Sequence, residues 1–304
     1  MFSQNPFITP YLYIVLIPAI LCFTAIIGEF IWHAHKEEQR KKSLMRIASW
    51  FVISYILLIS AFAGKDISFM LLVVVVGIAL LEIRTMSNQT ITYFVASVFC
   101  AASTLGVGVY FNQYMGSVLL LYGIVASVCM LTDQTEKRFH NAGVFLFSMI
   151  WIPFTLVYFI FIVNQAQGLE ILLLVYYIAT WSDIVPFYFA KACSKYKWFN
   201  TRKIAPHINK EKTYVGALGN IIGAVLAAAV ILALLPNLKI KAPFFLALLL
   251  GIVGSLGDLI GSMVKRSFGY KESGSLFPGM GGIIDRIDSS TLIVVVMYYW
   301  IVLF

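Results

Sequence analysis

Charged residues are scarce in this sequence. Only 12% of its 304 residues are charged, whereas 61% are apolar, and the mean hydropathy is +0.89. A soluble domain has about 25% charged residues, so the composition excludes a soluble globular protein. Disordered and collagen-like chains are excluded too, since they are polar or rich in periodic glycine. The composition instead predicts a polytopic membrane protein.

Cysteine is scarce as well. The four cysteines, Cys22, Cys100, Cys129 and Cys193, form no CxxC pair and no spacing typical of a zinc site or a disulfide framework. All but Cys193 lie within apolar runs, so core packing is the favoured interpretation. The Walker motif GxxxxGK[ST] is also absent, which excludes a P-loop as the means of binding a nucleotide.

Ten apolar segments approach or reach the roughly 20 residues that a helix needs to cross a bilayer. They are 11–32, 47–64, 67–83, 91–111, 115–132, 142–163, 169–190, 214–235, 243–264 and 288–304. The seventh contains Asp183 and Pro186, and the ninth contains Asp258, so we expect these two to be broken or partly interfacial. The predicted fold class is all-α, with about ten transmembrane helices.

Basic residues are distributed unevenly among the nine loops. Of the 22 Lys and Arg residues, 19 lie in odd-numbered loops and three in even-numbered loops. The positive-inside rule therefore predicts cytoplasmic odd loops and both termini outside. We expect N-terminal transmembrane helices in 1–165 and a catalytic region in 166–304, with cytoplasmic loops at 191–213 and 265–287. A bacterial plasma membrane is the expected location, with the active site facing the cytoplasm.

An acidic residue in an apolar segment indicates a site. A carboxylate at membrane depth costs about 2.5–3.5 kcal/mol on insertion scales, so Asp258 needs a polar cavity, a cation or a partner. Ser262 and Lys265 share its helix face at i+4 and i+7. The alternative is a glycine-rich packing seam with Lys265 reaching the interface, which Asp258 does not fit. In the N-terminal half, the acidic residues within apolar segments are Glu29 and Glu82.

A second acidic pair begins the last apolar segment. Asp285 and Asp288 are spaced i, i+3 and share one helix face, where they repel each other unless a cation lies close. Mg²⁺ prefers such oxygen ligands; the alternative is a solvated helix start, which acidic residues suit. The glycine-rich turn 278–282 directly precedes this helix and exposes amides that can hold phosphate. Together these features favour phosphoryl or nucleotidyl transfer.

The stretch from Ser262 to Asp288 resembles the signature of the phosphatidate cytidylyltransferases, also called CDP-diacylglycerol synthases. That signature is S-x-x-K-R, four residues, K-D, then P-x-H-G-G-x-x-D-R-x-D, and the spacing is matched throughout. The segment 203–216 is similar to the family's K-L-A-P-K-I-S-P-K-K-T-W-E-G, and Asp183 to the aspartate of A-D-x-x-A-Y-x-x-G. The sequence departs from the family at several positions. These are Ala190 near a Gly, His207 for Lys, Asn209 for Ser, Lys210 for Pro, Val215 for Glu, Glu272 for Asp and Met280 for His.

The resemblance implies an enzyme that joins CTP and phosphatidate, or a similar lipid phosphate, into CDP-diacylglycerol and releases pyrophosphate. It implies Mg²⁺ held by Asp258 and Asp285, with Asp288 as a further ligand, and a second cation that could be monovalent. The residues implied in catalysis are Asp258, Lys265, Arg266, Asp285, Arg286 and Asp288. Those implied in substrate binding are Asp183, Lys203, Lys212, Thr213, Ser262, Lys271, Gly281 and Gly282.

The expected partners are CTP, a lipid phosphate and membrane lipids. The net charge of +8 lies in short loops between apolar segments, where it suits lipid headgroups or a phosphorylated substrate better than nucleic acid. A homodimer is left open. Two alternative functions also stay open. One is the same fold acting on another lipid phosphate or nucleotide, with Met280 and Val215 as the discriminating positions. The other is a transporter or lipid-binding protein, with Asp183 and Asp258 serving ion coupling.

Overall fold

The computed structural model describes residues 9–32, 37–193, 203–206 and 212–304, which are almost entirely helical. Eleven α-helices lie within these ranges: α1 Thr9–Trp32, α2 Glu37–Ala63, α3 Lys65–Ser87, α4 Ile91–Tyr110, α5 Met115–Thr132, α6 Arg138–Met149, α7 Thr155–Val163, α8 Gly168–Cys193, α9 Tyr214–Leu234, α10 Pro243–Ser267 and α11 Ile284–Leu303. The β-pairing in the described part of the chain consists of two isolated bridges, Lys203 with Thr213 and Phe277 with Gly281. The all-α prediction is confirmed.

Within the described ranges, nine helical segments are long and apolar enough to cross a membrane. They coincide with the second to tenth predicted segments. Helix α1 coincides with the first predicted segment, although its apolar part among the described residues, Tyr11–Ile20, is shorter. The chain is therefore an integral membrane protein. The segment Arg138–Val163 comprises α6, a π-helical turn at Ile150–Phe154 and α7.

The expectation that the seventh and ninth segments are broken is wrong. Helix α8 continues through Pro186, and α10 continues through Asp258. Proline has no N–H, so the carbonyl of Ser182, four residues earlier, loses its helical donor. With the Asn220 amide in the orientation that its neighbours require, its Nδ2 lies 2.7 Å from that carbonyl oxygen and donates to it. A side chain from α9 thus satisfies the freed group.

The C-terminal helices pack closely through glycines. Helix α8 packs along α9, α9 against α10, and α10 against α11. A Cβ atom on Gly219 would lie 2.6 Å from the Cα of Pro186, and one on Gly251 would lie 2.8 Å from the Cα of Ile221. These glycines thus let α9 pack closely against α8 on one side and α10 on the other.

Candidate active site

The loop between α10 and α11 ends in a tight turn. The backbone N–H of Phe277 donates to Gly281 O at 2.9 Å, and that of Met280 donates to Phe277 O at 2.9 Å. Gly279 and Gly281 have φ angles of 75° and 84°, which glycine adopts readily and other residues rarely. The predicted glycine-rich turn is therefore confirmed as a turn leading into a helix.

Asp285, in the first turn of α11, holds this loop against the helix. Its Oδ2 accepts hydrogen bonds from the backbone N–H groups of Ser273 at 2.8 Å and Gly282 at 3.0 Å. Its Oδ1 forms an ion pair with Lys265 of α10, and both side chains are less than one-tenth exposed. Both oxygens of Asp285 are thus already engaged by protein groups.

Lys265 also faces the second acidic residue of the predicted pair. Its Nζ lies 3.7 Å from Asp288 Oδ2, and the Asp288 side chain is only 5% exposed. A Cβ on Gly261 would lie 2.6 Å from the same Oδ2, so the absence of a side chain there lets α10 and α11 approach. The cation that the i, i+3 carboxylate pair requires is, in this structure, the ammonium group of Lys265.

A second ion pair lies further along α10. Asp258 pairs with Lys212, which lies immediately before Thr213, the N-cap residue of α9. Thr213 caps that helix, because its Oγ1 accepts from the backbone N–H of Gly216 at 3.1 Å. The structure thus gives Thr213 a local structural contact, and Lys212 a partner from the neighbouring helix.

The other predicted site residues lie in different surroundings. Ser262 is buried in α10, whereas Lys203 and Lys271 are exposed. Arg266 is exposed as well, and its Nη1 donates to the carbonyl oxygen of Tyr270, in the loop that follows α10, at 3.0 Å. The backbone of Asp183 lies in α8, but its side chain is outside what the structure describes, as is that of Glu29 in α1. The predicted block at 207–211 also lies outside the described residues.

Two residues of the site were not predicted. Glu82 of α3 is 8% exposed, and its Oε1 accepts from the backbone N–H of Ile283 at 2.7 Å. Its Oε2 lies 2.7 Å from Ser273 Oγ, and that hydroxyl oxygen lies 3.0 Å from Asp285 Oδ2. The cost of burying a carboxylate was the available signal for Glu82, whereas no pattern in the sequence distinguishes Ser273.

An apolar cavity of about 200 Å³ adjoins the start of α11. Helices α2, α3, α7, α8 and α11 line it with mainly aliphatic and aromatic side chains, and Met280, Ile283 and Arg286 belong to its lining. The Nε of Arg286 is buried and has no hydrogen-bond partner within the described structure. A buried guanidinium N–H without an acceptor is unfavourable, and an anionic group in the cavity would satisfy it.

The donor atoms suit a hard cation in kind, because Asp258 and Asp288 offer carboxylate oxygens. No group of three His, Cys, Asp or Glu side chains that could hold a metal ion is found among the described residues. Lys212 and Lys265 neutralise the carboxylates instead. The predicted Mg²⁺ ligands therefore stay a prediction, since Asp258, Asp285 and Asp288 all have protein partners in this structure.

Comparison with known proteins agrees with the resemblance found in the sequence. Uncharacterized protein YnbB of Escherichia coli (strain K12) is 27% identical over 294 residues, which cover 93% of this chain and 95% of that protein. Phosphatidate cytidylyltransferase of Staphylococcus haemolyticus (strain JCSC1435) is 30% identical over 179 residues, or 59% of this chain and 65% of that protein. The enzyme of the same name from Bacillus subtilis (strain 168) is 34% identical over 169 residues, or 55% and 60%.

The matches to these two phosphatidate cytidylyltransferases thus cover less than two thirds of their length. The model of the cytidylyltransferase family, by contrast, matches residues 44–304, from within α2 to the end of α11. That range includes every element that forms the site. The chain therefore belongs to the cytidylyltransferase family.

Proposed function

We propose that this protein transfers a cytidylyl group from CTP to the phosphate of phosphatidate, giving CDP-diacylglycerol and pyrophosphate. Family membership and the names of two relatives support the proposal. The observation that favours a lipid phosphate as acceptor is the apolar cavity beside the start of α11, with the buried and unpartnered Nε of Arg286 in its lining.

The cavity offers both kinds of surface that such a lipid needs. An acyl chain would lie among the aliphatic side chains of α2, α3 and α8, where apolar contact is favourable. The lipid phosphate would lie at Arg286, because a guanidinium group has a planar fork of N–H donors that matches phosphate oxygens. Arg286 would thereby place the nucleophilic phosphate next to the carboxylate and lysine cluster.

The reaction forms one bond and breaks one. An oxygen of the phosphatidate phosphate attacks the α-phosphorus of CTP, and the bond from that phosphorus to the oxygen bridging to the β-phosphate breaks, so pyrophosphate leaves. Such a transfer depends mainly on positioning and on neutralising phosphate charge. Lys212 and Lys265, now paired with Asp258 and Asp285, are the cations placed to do so.

Asp258 and Asp285, with Asp288 as a further ligand, would hold Mg²⁺, which when bound would supply further neutralisation of the phosphate oxygens. Asp285 would act as an anchor of the loop, since its oxygens accept backbone hydrogen bonds and pair with Lys265. The turn at Gly281 and Gly282 would keep the backbone close to this carboxylate. A Cβ on Gly281 would overlap Asp285 Oδ2.

The test uses purified full-length protein in detergent with CTP, Mg²⁺ and phosphatidate. Pyrophosphate and the liponucleotide should form together, and EDTA should abolish both. In Arg286→Lys the charge stays but the fork is lost, so kcat/KM for phosphatidate should fall at least about tenfold, with KM for CTP little changed. Arg84→Lys is the matched control, because Arg84 of α3 lies over the Phe94 ring of α4 and does not belong to the cavity lining.

Absence of both products from a folded sample would contradict the proposal for these substrates. A panel of other lipid phosphates and nucleotides would then test the same fold with a different substrate. Lipid or ion flux in proteoliposomes without pyrophosphate release would support the transport alternative. An Arg286→Lys variant with unchanged kcat/KM for phosphatidate would remove Arg286 from the acceptor site while leaving the transfer reaction in place.

A further inference from the structure

Helix α11 begins without a capping side chain of its own. The N-cap position is Ile283, which has no side-chain acceptor for the backbone N–H groups of the first turn. The first four N–H groups of a helix have no partner within the helix. At α11 two of them are satisfied by a residue some two hundred positions earlier in the chain, Glu82.

The Glu82 carboxylate lies directly at this helix start. Oε1 accepts from Ile283 N at 2.7 Å, and Oε2 accepts from Ile284 N at 3.1 Å. The same Oε2 lies 2.7 Å from Ser273 Oγ in the preceding loop. A negative charge at a helix N-terminus is also favoured by the helix dipole. Three bonded contacts therefore compensate for the burial of this carboxylate.

The loop is shaped to receive Glu82. A Cβ on Gly274 would lie 2.9 Å from Glu82 Oε1, and one on Gly282 would overlap both that oxygen and the Ser273 hydroxyl. Ser273 links this contact to Asp285, whose Oδ2 is 3.0 Å from the same hydroxyl. The Ser273 hydroxyl thus lies between the two carboxylates and can donate its single hydrogen to either of them, but only to one at a time.

A second N-terminal helix contacts the same loop. Ser49 of α2 donates from Oγ to the carbonyl oxygen of Pro278 at 3.1 Å. Helices α2 and α3 therefore both hold the loop that precedes α11, although the sequence motif lies entirely in the C-terminal part of the chain. Of these two contacts, that of Glu82 reaches the residues immediately before Asp285 and Arg286.

We propose that Glu82 is a positioning residue for the transfer reaction, a proposal that rests on the proposed function. By fixing the first turn of α11 and the loop at 273–284, it holds Asp285, Arg286 and Asp288 in place relative to Lys265 and the cavity. Without it, the backbone N–H groups of Ile283 and Ile284 lose their acceptor, and the Ser273 hydroxyl loses one of its two acceptors. The first turn of α11 then loosens, and small displacements of reacting groups reduce rates strongly.

The test compares Glu82→Ala and Glu82→Gln with the wild type, as full-length protein in detergent. In Glu82→Ala, kcat should fall about a hundredfold while KM for CTP stays within a factor of two. In Glu82→Gln, kcat should fall less than in Glu82→Ala. The amide oxygen of Gln still accepts one N–H group, although its NH₂ group faces donors. Glu170→Gln is the matched control, since that half-buried carboxylate accepts from Tyr11 Oη at 2.7 Å on α1 and should leave kcat unchanged.

Hydrogen–deuterium exchange gives a readout independent of turnover. Peptides covering 270–290 should lose protection in Glu82→Ala, while peptides of α4 and α5 should not. If the alanine variant does not fold, the glutamine variant is measured in the same way. A kcat per folded molecule within twofold of wild type would overturn the proposal even if the protein were less stable.

Failure of the proposed function has a different outcome. If the wild type makes no product from CTP and phosphatidate, the proposed function fails and exchange alone decides the role of Glu82. Local loss of protection at 270–290 would then support the positioning of the α11 start by Glu82. Unchanged protection in that segment would overturn it.

Discussion

Lys212 and Asp258 lie 46 positions apart in the sequence and form an ion pair in the structure. The pair joins the residue before the α9 cap to the interior of α10. The two side chains remain 36% and 22% exposed, so a ligand can reach them. A divalent cation that binds Asp258 must therefore compete with an ammonium group already present.

Removing that ammonium group should change the Mg²⁺ requirement of the reaction. An exposed ion pair contributes about 0.2–1 kcal/mol, which corresponds to a change in affinity of up to about fivefold. In Lys212→Met the Mg²⁺ concentration for half-maximal turnover should therefore fall by up to about fivefold, as measured by titrating initial rates. Lys41→Met, which removes an exposed lysine paired with Glu37 on α2, should leave it unchanged. A half-saturating concentration that stays the same or rises in Lys212→Met would contradict competition at Asp258.

Lys265 should contribute more to the stability of the protein than a lysine in an exposed ion pair does. It lies between the buried carboxylates of Asp285 and Asp288, and removing one partner of a buried pair costs about 3–5 kcal/mol because a charge is left unpaired. Lys265→Met should therefore lower the thermal unfolding midpoint in detergent by roughly 6–12 °C. Adding Asp285→Asn should recover part of that loss, because it removes one unpaired charge.

The control for this prediction is again an exposed pair. Lys41 and Glu37 are 71% and 68% exposed, and such a pair contributes little, so Lys41→Met should shift the midpoint by no more than about 2 °C. If Lys265→Met lowered the unfolding midpoint no more than Lys41→Met does, the ammonium group of Lys265 would not be what neutralises the two carboxylates.

The helices themselves can be predicted from the sequence, because long apolar runs have few structural alternatives in a membrane protein. The turn at Gly281 and the helix start at Asp285 are also predictable, since both depend on residues close in sequence. The expectation of a break at Pro186 was wrong for a reason that local sequence does not contain. The missing donor for Ser182 O comes from Asn220 on another helix.

The partners of the buried charges could not be predicted for the same reason. A buried carboxylate must find hydrogen-bond donors, but the sequence of α3 does not specify that Glu82 meets Ile283, 201 positions later. Likewise, the choice of Lys212 for Asp258 and of Lys265 for Asp285 depends on where α9, α10 and α11 cross. The charged residues of α10 and α11 could be singled out from the sequence, whereas their partners, and the parts played by Glu82 and Ser273, required the packed structure.

The close approach of α10 to α11 at Gly257 should be required for both stability and turnover. A Cβ on Gly257 would overlap the backbone carbonyl of Asp288 and lie 2.9 Å from Ser289 Cα. Backbone atoms cannot rotate away, so Gly257→Ala should separate the helices, lower stability by about 1–3 kcal/mol and reduce turnover by displacing Asp288. Thermal unfolding and initial rates measure the two effects.

Gly123→Ala is the control for that substitution. Gly123 lies in α5 with no atom within 4 Å of its added Cβ in the described structure, so alanine should be neutral or stabilise the helix by up to about 1 kcal/mol. If Gly257→Ala behaved like Gly123→Ala, the close approach of α10 and α11 would not be needed for the site.

Met280 offers a prediction about substrate preference. The related pattern has His at this position, but here the half-buried thioether belongs to the lining of the apolar cavity together with Ile283 and Arg286. Imidazole is more polar and becomes charged near pH 6.5. Met280→His should therefore raise KM for phosphatidate by about threefold or more, since an apolar contact is lost, with a larger effect at pH 6 than at pH 8. Met280→Leu should stay close to wild type, because it keeps the volume and apolar character. A rise in kcat/KM for phosphatidate in Met280→His at both pH values would instead mean that the thioether impairs an ancestral pocket and does not select the lipid.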